Sequence, residues 1–295
     1  MTLQRKLQSG QRPSESDLEN YLKTYHGQAP GITLDKITRY KTSVGPTSYE
    51  LLIREMDALP IPPQTIVDLA CGNGVLIKIL LEKFSPKEQI IGVDISDGEL
   101  EEARKTIQSK NVKFLCERAQ SLSLMDHSAD VVLCHLALML MKPIEPVIRE
   151  VKRILKPEGL FAGIVLTSAK EETLFGQFSE MVGRFLKEEF SDLLGTGFGD
   201  PRVKTKEGLL SLFPEKDWRC QEMKLEEGEF LMSDTAEALW ENLKGFYLPN
   251  LLSDKDRRML GKKVCELFSK HTDSRSIVPF RLPFRVFAVK RLDRL

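Results

Sequence analysis

Thr65-Ile-Val-Asp-Leu-Ala-Cys-Gly-Asn-Gly74 changes character within a few residues. Thr65 to Leu69 is a short β-branched and apolar run of strand type. It closes on Gly72 and Gly74, and an apolar run of helical type follows from Val75 to about Phe84. A glycine turn between a strand and a helix lets the backbone approach a ligand closely, and the unpaired N–H groups of the helix start can receive a carboxylate or a phosphate. Outward from this point, Ile90 to Asp94 is a second strand that ends on an acid, Asp94, 20 residues beyond Gly74. A carboxylate so placed can accept bonds from ribose hydroxyls.

The alternation continues. A helix is expected from Asp97 to Ser109, strands at Val112–Leu115 and Asp130–Cys134, and a helix from Pro146 to Leu155. That helix stops at Lys156-Pro-Glu-Gly159, and Leu160–Leu166 is again a strand. This spacing gives βαβ units and a parallel sheet, and such short, nearly continuous apolar strands fit a sheet covered on both faces. The fold class is therefore α/β, a doubly wound, mostly parallel Rossmann-like sheet. Ligands in such sheets sit beyond the carboxyl ends of the strands, so the loops after Val67, Val93 and Leu133 surround one crevice.

On the N-terminal side, residues 1–13 read as frayed, a helix starts at Ser14 or Ser16 and breaks over Gly27–Gly31, and a second helix follows Pro46 to about Leu59. Beyond Thr167 the alternation slackens. Helices are expected at 170–195, Lys206–Phe213, 233–246 and 254–270, a loop at Gly195–Pro201, and strands at Trp218–Leu225 and Arg285–Arg291. The tail run Arg275–Arg291 reads as a strand pair with charged outer positions.

Composition narrows the function classes. Lys plus Arg (43) equals Asp plus Glu (43), which argues against a protein that coats a phosphate backbone, so no nucleic-acid partner is expected. The five cysteines (71, 116, 134, 220 and 265) form no CxxC pair, and the four histidines show no metal-ligand spacing, so no metal is expected. No apolar run reaches the roughly 18 residues of a spanning helix and no signal peptide opens the chain, which gives the expectation of a soluble, cytoplasmic protein. Oligomeric state is not legible.

Val67-Asp-Leu-Ala-Cys-Gly-Asn-Gly74, Gly92-Val-Asp-Ile-Ser96, Ser128-Ala-Asp-Val-Val-Leu-Cys-His135 and Val151-Lys-Arg-Ile-Leu-Lys-Pro-Glu-Gly159 stand in order within residues 60–166. Together they resemble class I S-adenosylmethionine-dependent methyltransferases, of the small-molecule, ubiquinone-biosynthesis-like type. The resemblance implies one domain over 1–295: a helical cap (1–60), a cofactor-binding core (61–167), and lid helices with the last strands (168–295). It implies S-adenosylmethionine as cofactor. Asp68 would meet the methionine amino group, and Ala70, Cys71, Gly72, Asn73 and Gly74 would wrap the cofactor. Asp94 would hold the ribose, Ile95 the adenine face, and Cys134 the methionine end through its carbonyl. Glu117-Arg118-Ala119-Gln120 stands where the family often has Gly-Asp-Ala-Glu, so Arg118 replaces the aspartate that meets the adenine amino group. An arginine cannot accept that bond. Glu117, Gln120 or the Ala119 backbone is left to serve.

Methyl transfer from a sulfonium carries its own leaving group, so the protein mainly positions the acceptor, and a base is needed only for a protonated nucleophile. His135, directly after the fourth strand, is the candidate base. His26, Tyr40, Tyr49, Met139, Trp240 and Tyr247 are candidate acceptor contacts, and the aromatic residues of the later helices are expected to roof an acceptor cavity. The expected activity is methylation of a small molecule at O, N or C. A protein or RNA acceptor, or a binding module without turnover, are the alternatives.

Overall fold

The computed structural model describes residues 2–84, 89–195 and 197–292. Its core is a seven-stranded sheet in the order β3-β2-β1-β4-β5-β7-β6, formed by β1 (Thr65–Leu69), β2 (Gln89–Asp94), β3 (Val112–Cys116), β4 (Ala129–His135), β5 (Leu155–Leu166), β6 (Lys224–Asp234) and β7 (Val278–Lys290). The first five run parallel, and β7 is antiparallel to both β5 and β6. The expected doubly wound α/β sheet is present. The chain runs from β1 outward to β3 and then returns to the other side of β1 with β4, so the crevice between β1 and β4 is the switch point where such sheets bind ligands.

The helices are α1 (Leu3–Gln8), α2 (Glu15–Gln28), α3 (Ser48–Asp57), α4 (Val75–Lys83), α5 (Asp97–Thr106), α6 (Ile144–Ile154), α7 (Leu174–Phe190), α8 (Lys206–Ser211), α9 (Ala236–Leu243) and α10 (Asp254–Ser269). Side-chain chemistry sets where they begin. Ser14 and Asp17 form a reciprocal capping box on α2, and Thr47 and Glu50 another on α3. The start of the chain is not frayed as expected: Thr2 caps α1, and Leu3 and Leu7, one turn apart, are buried. Packing of one apolar edge outweighs the poor intrinsic stability of so short a helix.

The last two strands also depart from expectation. Residues 220–222 form a 3-10 turn, Trp218 contributes only an isolated bridge to Arg291, and the strand begins at Lys224. The Glu-rich run 224–229 masked it, yet β6 is the sheet edge, where charge suits the open face. The expected pair within 275–291 is one strand, β7. Its first half alternates Val278, Phe280, Leu282 and Phe284, all buried, with Pro279, Arg281 and Pro283. Prolines argue against a strand in sequence. They are tolerated here because that half pairs with β6 alone, β5 joining only from Phe284 onward.

Phe287 of β7 is fully buried, with its ring centroid 5.1 Å from that of Phe161 and 5.8 Å from that of Phe213. Opposite it, a Cβ on Gly163 would fall 2.6 Å from the Phe287 ring, so the glycine makes room for the aromatic. Phe287→Ala is expected to cost roughly 3–5 kcal/mol of stability, the usual loss for a buried aromatic and its cavity. Urea unfolding measures this. A loss under about 1 kcal/mol would mean that the antiparallel strand is not part of the cooperative core.

Candidate functional site

The cleft lies where the switch point predicts, and its non-atom space is ≈ 1320 Å³, solvent at the mouth included. Its floor is the loop from β1 to α4. Ala70, Gly72 and Gly74 have φ of 61°, 53° and 81°, all left-handed, so the chain winds back on itself before α4 begins. At Ala70 this conformation costs on the order of 1 kcal/mol, because only glycine adopts it freely. Asp94 fixes the loop: its carboxylate accepts from Gly72 N at 2.9 Å and from Ser96 N at 2.8 Å. Burial raises the Asp94 carboxyl above the ordinary range, while the two N–H groups oppose that rise.

Asp68 stands at the centre of the sheet, paired in register with Gly92 of β2 and Leu133 of β4. It is 1% exposed, and neither carboxylate oxygen has a hydrogen-bond partner. Buried carboxylates without partners are rare because losing water is costly. Asp68 also borders the cleft. Burial, with the charge of Asp94 adding to it, pushes its carboxyl up to about 8. Such a group is poised for a cationic or hydrogen-donating ligand.

Glu99, on the first turn of α5, is a site residue that the sequence hid. Ser96-x-x-Glu99 has the spacing of a capping box, in which the glutamate would turn back to the Ser96 N–H. Asp94 takes that N–H instead. The Glu99 carboxylate, 3% exposed, accepts from Gly31 N at 2.9 Å and lies 3.1 Å from His26 Nδ1. His26 Nε2 is in turn 2.8 Å from the Tyr247 hydroxyl.

Helix α2 crosses the cleft and lends Glu15, Leu18, Glu19, Leu22, Lys23 and His26 to its lining. The remainder of the cover is thinner than expected. From 168–295, only Gly199 and Tyr247 line the cleft among the described residues. Phe198 stacks on Tyr21 with centroids 5.5 Å apart and so backs α2 from behind. Phe178, Phe185 and Trp240 are buried in packing between the later helices and β7.

Of the expected site residues, the cleft gathers Asp68, Ala70, Cys71, Gly72, Asn73, Asp94, Ile95, Glu117, Arg118, Ala119, Gln120, His135, His26, Tyr49 and Tyr247. Five stand outside its lining. Gly74 starts α4, where a Cβ would fall 2.5 Å from Ile107, so packing against the core explains the glycine. Cys134 and Met139 are buried, and Leu136 and Ala137, just past β4, reach the cleft in their place. Trp240 packs under Gly261 of α10. The Tyr40 hydroxyl accepts from Asn242 Nδ2 at 3.1 Å.

His135 is in the cleft but is a poor base. Its ring stacks on Tyr49 with centroids 4.1 Å apart, its Nε2 lies 2.9 Å from Ser48 Oγ, and burial lowers its pKa to about 3. A base that weak accepts a proton reluctantly at neutral pH. His135 thus forms a neutral part of the cleft wall. Burial also pushes the Tyr49 phenol up to about 12.

Comparison with known proteins places this geometry. Residues 67–163 match the family described as "Methyltransferase domain". A demethylmenaquinone methyltransferase of Symbiobacterium thermophilum is 33% identical over 41% of this chain and 49% of its own length. A ribosomal protein L11 methyltransferase of Colwellia psychrerythraea is 28% identical over 57% of this chain and 56% of its own. The chain thus spans about half the length of these curated relatives. The crystal structure of a putative methyltransferase from Bacillus halodurans superposes with a TM-score of 0.56 at 15% identity, covering 83% of this chain and 99% of that one. The YcgJ protein of Bacillus subtilis gives 0.55 at 17%, covering 84% and 99%. Both share the fold.

Asp68 generates a pH prediction. An unfolded aspartate titrates near 3.9, so between about pH 4 and pH 8 the unfolded chain has released a proton that the folded chain retains. The folded state therefore loses stability as pH rises through that window. Asp68→Asn removes the titration, and its melting temperature, relative to the parent protein without ligand, should gain more at pH 8 than at pH 5. Equal differences at the two pH values would show that Asp68 is ionised and paired in the folded protein.

Proposed function

Because residues 67–163 form a class I S-adenosylmethionine-dependent methyltransferase domain, we propose that the whole chain is an enzyme that moves the methyl group of S-adenosylmethionine to a small-molecule acceptor. The observation that carries this reading is the buried, unpartnered carboxylate of Asp68 beside a left-handed loop. An orphaned carboxyl of this kind fits the ammonium of the methionine moiety, whose positive charge would draw off the retained proton and pair with the carboxylate. Gly72 and Asn73 would approach the methionine carboxylate. Asp94, with lone pairs left beyond its two N–H bonds, would take the ribose hydroxyls, and Ile95 and Ala119 would border the adenine.

The cofactor supplies an activated methyl group on sulfur. The chain's own work is to bind, to orient and to exclude water. Asp68 and Asp94 hold the cofactor from two adjacent strands, and α2 covers it. Tyr49, His135, Leu136, Leu140 and Met141 form an apolar wall containing one neutral imidazole, which suits an uncharged, flat or aliphatic acceptor. The enclosure supports a small acceptor over a folded macromolecule, since α2 lies across the opening. Residues 1–60 act as the cap and 168–295 brace it from behind.

Calorimetric titration with S-adenosylhomocysteine tests the cofactor reading and should show micromolar binding. Asp94→Ala should weaken it by roughly 1.5–3 kcal/mol, the value of a charge-assisted bond. Unchanged affinity in that variant would remove Asp94 from the ribose site. Transfer of labelled methyl from S-adenosylmethionine in a cell extract should enter the solvent-extractable fraction. Label appearing only in acid-precipitable protein would favour a protein acceptor.

A further inference from the structure

The strand order β1-β2-β3 is linear, and so are the ends of these strands at the cleft. With the cofactor's ammonium at Asp68 on β1 and its ribose at Asp94 on β2, the adenine falls at the end of β3, beside residues 117–120. The adenine 6-amino group donates hydrogen bonds and needs an acceptor. The loop offers little. Glu117 already carries a bond on each oxygen, accepting from Ser123 N at 2.9 Å and from the Ser123 hydroxyl at 2.5 Å, where Glu19 carries one. Arg118 has only donors. Gln120 donates from Nε2 to the Lys142 carbonyl at 3.4 Å, which turns its amide toward that carbonyl.

A carboxylate arrives from elsewhere. Arg118 Nη2 donates to Glu19 Oε2 at 2.8 Å, bringing an acid of the cap helix to the end of β3. Both residues line the cleft, and Glu19 is the more shielded of the two, with 24% of its side chain exposed against 50% for Arg118. A carboxylate has about four acceptor sites, so one guanidinium bond leaves capacity for another donor. The helix is held in this register on either side. Glu15 and Lys23, one turn before and one turn after Glu19, lie 3.9 Å from Lys142 and 3.6 Å from Asp97.

We propose that Glu19 of α2, positioned by Arg118, accepts the 6-amino group of the cofactor's adenine, so that the cap helix supplies a base-reading acid where the β3 loop carries Arg118. This rests on the S-adenosylmethionine reading above. Arg118 then acts as a positioning residue: it donates to Glu19, and Glu19 meets the base. A base carrying a 6-oxo group would face the carboxylate with an acceptor, and a site built around one polar bond rejects such an analogue strongly.

The test compares S-adenosylhomocysteine with S-inosylhomocysteine, its 6-oxo counterpart, by calorimetry on the full chain. The parent protein should bind the adenosyl compound at least about tenfold more tightly, the scale of one charge-assisted bond. Glu19→Ala should bring the two to within about threefold by weakening the adenosyl compound, and Glu19→Gln, which keeps an acceptor oxygen, should retain part of the preference. If Glu19→Ala weakens both ligands equally, Glu19 merely holds the cap and the proposal falls. It falls too if the preference survives Glu19→Ala, and its loss in Glu117→Ala or Gln120→Ala would then name the acceptor. Absence of S-adenosylhomocysteine binding by the parent would overturn the cofactor reading itself, a result distinct from either.

Discussion

The pair of hydrogen bonds that Asp94 accepts from Gly72 N and Ser96 N is the constraint on which the site depends. It ties the left-handed turn after β1 to the turn after β2, beside the backbone bond from Cys71 N to Val93 O. Because it takes the Ser96 N–H, it releases Glu99 from the local cap that its position suggests. Glu99 then reaches across to Gly31 and His26 and sets where the chain leaving α2 must run. One carboxylate at a strand end thus determines both the floor of the cleft and the anchorage of its cover.

The same region concentrates carboxyl groups. Asp68, Asp94 and Glu99 all line the cleft, with Asp68 and Glu99 almost fully removed from water. Burial of one carboxylate near another raises the cost of ionising either. The site is therefore a place where a ligand with a positive end contributes more than its own contacts, since it relieves an existing penalty. That a methionine ammonium and a sulfonium are both cationic makes S-adenosylmethionine a natural occupant on electrostatic grounds, apart from any likeness to other proteins.

The parallel half of the sheet was legible because each strand there is apolar and each turn is marked by glycine or an acid. Thr65–Leu69 and the loop to Gly74 needed no tertiary information, and neither did Asp94. What the sequence concealed has identifiable causes. Glu99 was hidden by a local motif it does not complete. β6 and the first half of β7 were hidden by glutamates and prolines that only an edge position makes tolerable. His135 was placed at the cleft by its position along the chain, but its stacking on Tyr49 and its contact with Ser48 come from a helix eighty-odd residues earlier. Likewise the Arg118 departure is uninterpretable until α2 is laid across the cleft and Glu19 is found beside it.

Helix α2 is fastened differently along its two edges. Three of its ion pairs, to Lys142, Arg118 and Asp97, are partly exposed, and such pairs contribute about 0–1 kcal/mol each. None of the α2 residues is fully buried. Its firmer contacts are aromatic and lie along one edge: Tyr21 against Phe198, Tyr25 against Tyr247 with its hydroxyl on the Gly245 carbonyl, and His26 against Glu99 and Tyr247. Aromatic stacking and the His26–Glu99 contact thus fix one edge of α2, while the pairs on the other edge set the register that brings Glu19 beside Arg118 at the end of β3.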